Sequence, residues 1–356
     1  MNVFMVTRDT GPWLALEKVG EALYEQGILF SMPHTFKLCN ADPSGITVDQ
    51  LSKLVTDEGM GFNVVVTGMS SSPELAEHEL TACKEAVQHG IPLALFADTF
   101  GAWGRPWFEP YREAASALFV VSPSEAEKAR ELFPNAKIVA SGNPVWEDFF
   151  FPRYTRLEVR TKLEIEDHES MIFVPGTKSL AVNMLLFGGV VEAAIMLGEA
   201  YGRVFISLHP GDKNPPALYK ELADYAPITV KFVPKEVMSG SEMIPGADVV
   251  VESASTIGIE TACQRIPVVE YFTYAGRGNW KRQTGSVDYE PCRLKVAEEI
   301  SLGVQELSET LDMVLRKDGS VLRHKMLERQ REVFPKPAKR GAAVKAIIST
   351  LQELYQ

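Results

Sequence analysis

ADVVVESASTIGIETACQRIPVV, residues 247 to 269, carries the reading of the fold. Ala247 to Val251 is a short run rich in valine, apolar on both faces, and reads as a strand buried in a sheet. Glu252-Ser253-Ala254-Ser255-Thr256 follows as a small, hydroxyl-rich loop. A helix is predicted from Thr256 to Cys263, and Pro267 to Glu270 is a second buried strand. Strand, loop, helix and parallel strand form the repeating unit of a sheet covered on both faces. Free N–H groups and the helix dipole at the start of the Thr256 helix favour an anion, and the loop hydroxyls add donors. Gly258, in the first turn, is expected to let a ligand approach closely.

Outward from this stretch the same unit recurs. Met1 to Thr7 and Asn63 to Thr67 read as strands, followed by helices Trp13 to Gln26 and Pro73 to His89, with Pro73 in a first turn. Pro92 to Ala97, Leu118 to Val121 and Lys137 to Ala140 are further strands. Ser122-Pro123-Ser124 caps the helix from Glu125 to Leu132. The pattern breaks at Ser141-Gly142-Asn143-Pro144. It restarts with strands Met171 to Val174, Val204 to Leu208 and Ile228 to Val233, a long apolar helix Leu180 to Ala200, and a helix Tyr219 to Tyr225. Pro267 to Glu270 is the last clear strand. Helices Ser308 to Leu315, Val321 to Arg331 and Ala342 to Tyr355 fill the C-terminal part. The expected fold is α/β: two tandem Rossmann-like, doubly wound domains facing a cleft. Residues 1–145 form the first and 146–335 the second, and a C-terminal helix within 336–356 crosses back to the first. A chain of 356 residues is long enough for two cores.

Composition narrows the function classes. The chain carries 36 Lys and Arg against 47 Asp and Glu, a formal charge of −11. That balance argues against nucleic-acid binding but leaves room for a local basic pocket for one small anion. Cys39, Cys83, Cys263 and Cys292 stand far apart with no CxxC pair, which argues against zinc and against a disulfide framework and suits a reducing, cytoplasmic setting. Leu180 to Ala200 contains Asn183, Glu192 and Glu199, and reads as a buried helix rather than a membrane span. Membrane association is expected to be peripheral at most, since no basic amphipathic helix stands out.

Only residues just past the strand ends face the crevice of a parallel sheet, and that rule selects the candidates. In the second domain they are Ser253, Ser255, Thr256 and Glu260 of the opening stretch. The turn Pro175-Gly176-Thr177-Lys178 adds Gly176, Thr177 and Lys178, with the spacing of no Walker loop but a lysine suited to a phosphate. His209, fixed by Pro210-Gly211, can donate to a phosphate or a sugar hydroxyl. In the first domain Arg8 and Gly11 follow the first strand. Asp98 follows Pro92 to Ala97 amid glycines and aromatics, and is the candidate general base, with His209 the second candidate catalytic group.

The tandem layout and the second-domain motifs together resemble a glycosyltransferase of the GT-B fold. The likeness is to the group that includes the non-hydrolysing UDP-N-acetylglucosamine 2-epimerases and lipid-A-disaccharide synthase. SGNPVWEDFF, residues 141 to 150, resembles the hinge G-N-P-x-x-D of that group. LHPGDKNP, residues 208 to 215, resembles its H-P strand end, and residues 247 to 269 resemble its nucleotide loop. The resemblance covers almost the whole chain in layout. It implies that Ser255 and Thr256 bind the diphosphate of a nucleotide sugar, with UDP the leading nucleotide, and that Glu260 holds the ribose hydroxyls. His209 and Gly176 to Lys178 line the phosphate side, and the region after Val230 to Pro234 faces the base. The first domain takes a sugar or lipid-linked acceptor and supplies the general base. No metal or other cofactor is implied beyond the donor substrate, and a homodimer is compatible. The 2-epimerases carry a glycine pair and adjacent glutamates in the nucleotide loop, whereas this chain reads Ser255-Thr256-Ile257-Gly258-Ile259-Glu260-Thr261. That departure favours glycosyl transfer, in glycan or glycolipid synthesis, over epimerisation. A sugar-nucleotide epimerase and a catalytically inert nucleotide-sugar-binding protein are the alternatives.

Overall fold

The computed structural model describes residues 1–32, 46–56, 61–198, 203–224, 226–284, 287–316 and 320–356. Strands β1 (Asn2–Val6), β2 (Leu29–Ser31), β3 (Val64–Gly68), β4 (Leu93–Phe96), β5 (Ala115–Phe119) and β6 (Lys137–Val139) form a 6-stranded sheet in the order β2-β1-β3-β4-β5-β6. Strands β7 (Met171–Pro175), β8 (Arg203–Ser207), β9 (Val230–Phe232), β10 (Val249–Glu252), β11 (Val268–Tyr271) and β12 (Glu298–Ile300) form a second, in the order β12-β11-β10-β7-β8-β9. Every pairing is parallel. Hydrogen-bonded parallel pairs need helical crossovers, and the crossovers bury both sheet faces. Both sheets are accordingly apolar on both sides in their central strands: NVFMV in β1, VVVTG in β3, MIFVP in β7 and VVVE in β10.

The chain divides into two compact units, Met1–Asp148 with Pro337–Gln356, and Phe149–Lys336. In the first, one sheet face packs Phe4, Val65 and Leu95 against the helices Val48–Val55 and Pro73–Gln88. The other packs Val3, Val66 and Phe96 against Leu16, Val19 and Leu23 of the helix Thr10–Glu25 and against Ile347, Ile348 and Leu351 of the helix Ala342–Tyr355. The C-terminal segment thus completes the core of the first unit. In the second unit, one face packs Val174, Val204 and Val251 against Leu186, Phe187 and Val190 of the helix Leu180–Leu197 and Leu307 and Leu311 of the helix Val304–Leu315. The opposite face meets Val159 and Leu163 of the helix Arg156–Leu163.

The helix Leu180–Leu197 has a mean hydropathy of 2.0 and the length of a membrane span, and 50% of it is buried inside the second unit. Its glycine Gly189 lies against the ring of Tyr271, where a Cβ would not fit. Cys83, Cys263 and Cys292 are buried free thiols. Cys39 lies outside the described residues. Strands β2 and β12 flank their sheets beyond the strands expected from sequence, so Pro267 to Glu270 is not the last strand. Both are 3 residues long and lie at sheet edges.

Candidate functional site

The order of strands in each sheet has one reversal where successive crossovers leave in opposite directions: between β1 and β3 in the first, and between β7 and β10 in the second. At such a switch point the loops beyond the carboxyl ends part and leave a crevice. In the second unit those loops are Gly176–Ser179 and Ser253–Ser255.

The loop after β7 is built by its own hydrogen bonds. Thr177 donates from its N–H and its Oγ1 to Asn183 Oδ1 at 2.7 and 2.9 Å, and accepts from the Ser179 N–H at 3.1 Å. Asn183, fully buried in the first turns of the following helix, also donates to Asp212 at 3.0 Å. That contact ties this loop to the one after β8. A Cβ on Gly176 would meet the Ser207 carbonyl at 3.1 Å and the His209 nitrogen at 3.3 Å, so a larger residue would push the two loops apart. His209 Nδ1 accepts from the Gly211 N–H at 2.8 Å, which places the ring proton on Nε2. Burial, and then the charge of Lys178, lower the His209 pKa against the pull of Asp212. The ring is therefore a neutral donor at neutral pH. Lys178 lies alongside, its Cε 3.2 Å from the Cβ position of Gly211.

Beyond β10, Ser255 caps the helix Thr256–Cys263 by accepting from the Ile257 N–H at 3.3 Å. Glu260, 9% exposed, accepts from Ser241 Oγ at 2.7 Å, and burial raises its carboxyl to about 7 against that hydrogen bond. Ser253 is 5% exposed, and its Oγ lies against Gly276, where a Cβ would collide. The space over Gly258 is filled by the Glu252 carboxyl, so this glycine answers to Glu252 rather than to a ligand. Gly176, Thr177, Lys178 and His209 thus gather on the β7 and β8 loops. Ser255 and Thr256 begin the helix after the neighbouring β10, and Glu260 faces Ser241.

In the first unit, Asp9 caps the helix Thr10–Glu25 and accepts from the Ser71 N–H and Oγ at 3.1 and 2.6 Å, joining the loops after β1 and β3. Arg8 contacts His78 Nδ1 at 3.4 Å and Glu77 at 3.8 Å. Gly11 faces the Asp98 carboxyl so closely that a Cβ would overlap it. The Asp98 carbonyl accepts from Asn143 Nδ2 at 2.7 Å, while its Oδ1 is enclosed with no hydrogen-bond partner among the described residues. Burial raises Asp98 to about 6, against the charge of Arg105 and helped by that of Asp9. Arg105 Nη1 is likewise enclosed and unpartnered among the described residues. The loop that carries it is held by Glu125, which accepts from the Gly101 N–H at 2.6 Å and Trp103 Nε1 at 2.8 Å. Behind it, Glu79 accepts from the Ser70 N–H and Oγ, and burial raises it to about 7.

Glu79, Arg105, Glu252 and Glu270 were not singled out from sequence. For Glu252 and Glu270 the available signal was an acid at the end of an otherwise apolar stretch, as in VVVE and PVVE. Among the described residues no group of three or more His, Cys, Asp or Glu is placed to hold a metal ion. A separate cavity of about 590 Å³ lies at the amino end of the second sheet, lined by Arg156, Asp248, Arg265 and Arg323 among others. Their guanidiniums donate to the carbonyls of Gly246, Ala247, Ala262, Val314 and Asp248, so they act as braces of the backbone.

No protein-family model matches the chain. No curated protein sequence matches it either. Solved structures do match along its full length. A UDP-GlcNAc 2-epimerase from Neisseria meningitidis, bound to UDP-GlcNAc, superposes with a TM-score of 0.66 at 14% identity, covering 99% of this chain and 100% of that one. MurG from Acinetobacter baumannii gives a TM-score of 0.62 at 14% identity, with 99% of each chain covered. A glycosyltransferase from Rickettsia africae gives 0.59 at 14% identity, covering 100% of this chain and 98% of that one. Two six-stranded parallel sheets in this order, matched end to end by these structures, identify the architecture: the chain has the GT-B fold.

Proposed function

We propose that this chain is a nucleotide-sugar enzyme, and within that class a glycosyltransferase that moves a sugar from a nucleoside-diphosphate sugar to a hydroxyl acceptor. The observation that carries the reading is the switch point of the second sheet. There a capped helix N-terminus at Ser255–Thr256 follows the strand beside the one leading to Lys178, with the neutral donor His209 one strand further on. Such an arrangement supplies a helix dipole, hydroxyl donors and a cation to a diphosphate, and stabilises the charge that develops on it as it leaves. Glu260, with Ser241, is the group suited to a ribose diol. The ligands of the Neisseria structure and of a Staphylococcus aureus MnaA–UDP structure support a uridine nucleotide as the first to test.

Asp98 is the candidate base. With a pKa near 6 it is largely ionised at neutral pH and still basic enough to accept a hydroxyl proton. In the transfer step the acceptor oxygen forms a bond to the anomeric carbon, the bond from that carbon to the diphosphate oxygen breaks with its electrons going to the leaving group, and Asp98 takes the acceptor proton. A second reading, a 2-epimerase, is favoured by the epimerases among the matched structures and disfavoured by the loop Ser255–Thr261, which lacks their glycine pair.

A thermal-shift series with UDP, GDP, CDP, TDP and ADP tests the class. A ligand at 100 times its dissociation constant adds about 2.7 kcal/mol of stability. A shift with one diphosphate that Glu260→Ala reduces is the expected result, and no shift with any of them overturns the reading. Incubation of the matching nucleotide sugar in D2O without acceptor separates the two reactions: epimerisation incorporates deuterium at a sugar carbon, and a transferase leaves the sugar unlabelled.

A further inference from the structure

Glu252, the last residue of β10, and Glu270, the next to last of β11, are paired in register and are both fully buried. Their carboxyls take the adjacent amides of Ala254 and Ser255, which sets them side by side, and each acts on the other's ionisation. Among the described residues neither has an ion-pair partner. The nearby Glu299 is paired with Arg277, and the other titratable groups around the pair are Tyr289 and Cys292. Two carboxylates this close in a dry interior cannot both ionise without large repulsion, so the pair keeps a proton. Burial raises Glu252 to about 7, and burial followed by the charge of Glu252 raises Glu270 well above the ordinary range.

The pair faces the loop that leads into the helix Thr256–Cys263. Both Glu270 oxygens lie 2.9 Å from the Ala254 N–H, and Glu252 accepts from the Ser255 N–H. Tyr289 OH is 3.3 Å from both Glu252 Oε1 and the Ser255 carbonyl. Ala254 is held at φ +49, a left-handed conformation that disfavours a residue with a Cβ by roughly 1 kcal/mol or more. The loop therefore depends on what fixes it from behind. Gly258 fits because its missing Cβ leaves room for Glu252.

We propose that Glu252 and Glu270 are positioning residues: one proton shared between their carboxyls clamps the Ala254 and Ser255 amides and sets the start of the Thr256 helix for an anion. The proposal rests on the nucleotide reading only for the identity of that anion. Loss of the shared proton acts twice. It removes the hydrogen bond that joins the two carboxyls, and it leaves a second negative charge directly behind the diphosphate site.

The test uses full-length wild type, Glu270→Gln and Glu270→Ala. Glutamine at 270 can donate to Glu252 and accept from Ala254, as protonated Glu270 does, without titrating. In the ligand-free proteins, amide hydrogen exchange of residues 253–257 should match wild type in Glu270→Gln at pH 7 and be faster in Glu270→Ala. Raising the pH to 9 should lower wild-type protection relative to Glu270→Gln at the same pH. UDP titrations should weaken by about tenfold or more in Glu270→Ala, the effect of unmaking buried hydrogen bonds. They should weaken with rising pH in wild type and stay flatter in Glu270→Gln. Equal loop protection in wild type and Glu270→Gln across the whole pH range overturns the shared proton even if the alanine variant does not fold. Absence of UDP binding by wild type, with the exchange pattern as expected, overturns the nucleotide reading and leaves the clamp standing.

Discussion

At the scale of single residues, Asp98 and Glu260 bear the sharpest expectations. Asp98→Asn keeps the size and the carbonyl that Asn143 binds, and removes only the basic oxygen. General-base removal typically lowers turnover by about 10²- to 10⁴-fold, and kcat should fall by that order without a fall in the melting temperature. Because the base must be ionised to act, kcat/KM should decline on the acid side with an inflection near pH 6, the value to which burial raises Asp98. A rate unaffected by Asp98→Asn would remove it from the mechanism. Glu260→Ala should weaken nucleotide binding by about 1 to 3 kcal/mol, read by calorimetric titration. The rule that ligands meet strand ends selects Asp98, Lys178, His209 and Ser255 from the sequence, since each lies within four residues after an apolar run. Arg105 and Glu79 were not legible in it, because their place depends on which strands become neighbours: the Ser70–Glu79 contact is local, and the pairing of β3 with β4 is what brings the loop of Asp98 and Arg105 alongside it. Ser253 shows the converse limit. Its type and place suited a ligand, yet its hydroxyl lies against Gly276, a residue on a segment whose approach no local pattern announces.

At the scale of elements, most of the architecture was readable because the central strands are apolar on both faces and the helices start at recognisable caps. Ser72 accepts from the Leu75 N–H with Pro73 next in line, and Ser122 accepts from the Glu125 N–H with Pro123 next. The helix Thr10–Glu25 begins earlier than its apolar spacing suggested, because Asp9 caps it. Two of the four edge strands, β2 and β12, escaped notice for a physical reason. An edge strand needs fewer apolar side chains, and Glu298 and Glu299 in β12 carry charge where a central strand carries valine. The C-terminal helix Ala342–Tyr355 gives an element-scale prediction. Ile347 and Leu351 are fully buried in the first unit although far from it in sequence. Leu351→Ala should destabilise by about 2 to 5 kcal/mol, the usual cost of truncating a fully buried leucine. If calorimetry resolves separate transitions for the units, the loss should fall on the transition that includes residues 1–148. A loss confined to the other transition would contradict the packing described for this helix.

At the scale of the whole molecule, buried acids dominate the expected pH dependence of stability. Glu79, Asp98, Glu252, Glu260 and Glu270 all have carboxyls raised by burial, to about 7, 6, 7 and 7 for the first four and higher for the last. In the unfolded chain each titrates near the ordinary value of about 4. Between about pH 4 and pH 7 the native state therefore binds more protons than the unfolded state. The slope of unfolding free energy with pH is proportional to unfolded minus native bound protons, so it is negative there, and stability falls as pH rises. His209 works in the opposite sense: its lowered pKa means that the native state binds fewer protons just below pH 6.5, so this one group costs stability on acidification. A formal charge of −11 reinforces the carboxyl effect, because ionising further acids adds to a net repulsion already present. The expected outcome is a melting temperature several degrees higher at about pH 6 than at about pH 8, each unit of raised pKa being worth at most about 1.4 kcal/mol. Glu79→Gln tests the cause. It keeps an acceptor for Ser70 while removing one titrating group, so it should raise stability at pH 8 relative to pH 6 and flatten the slope. A melting temperature independent of pH across this range in wild type would mean that these carboxyls meet enough polar partners in the folded protein to ionise freely.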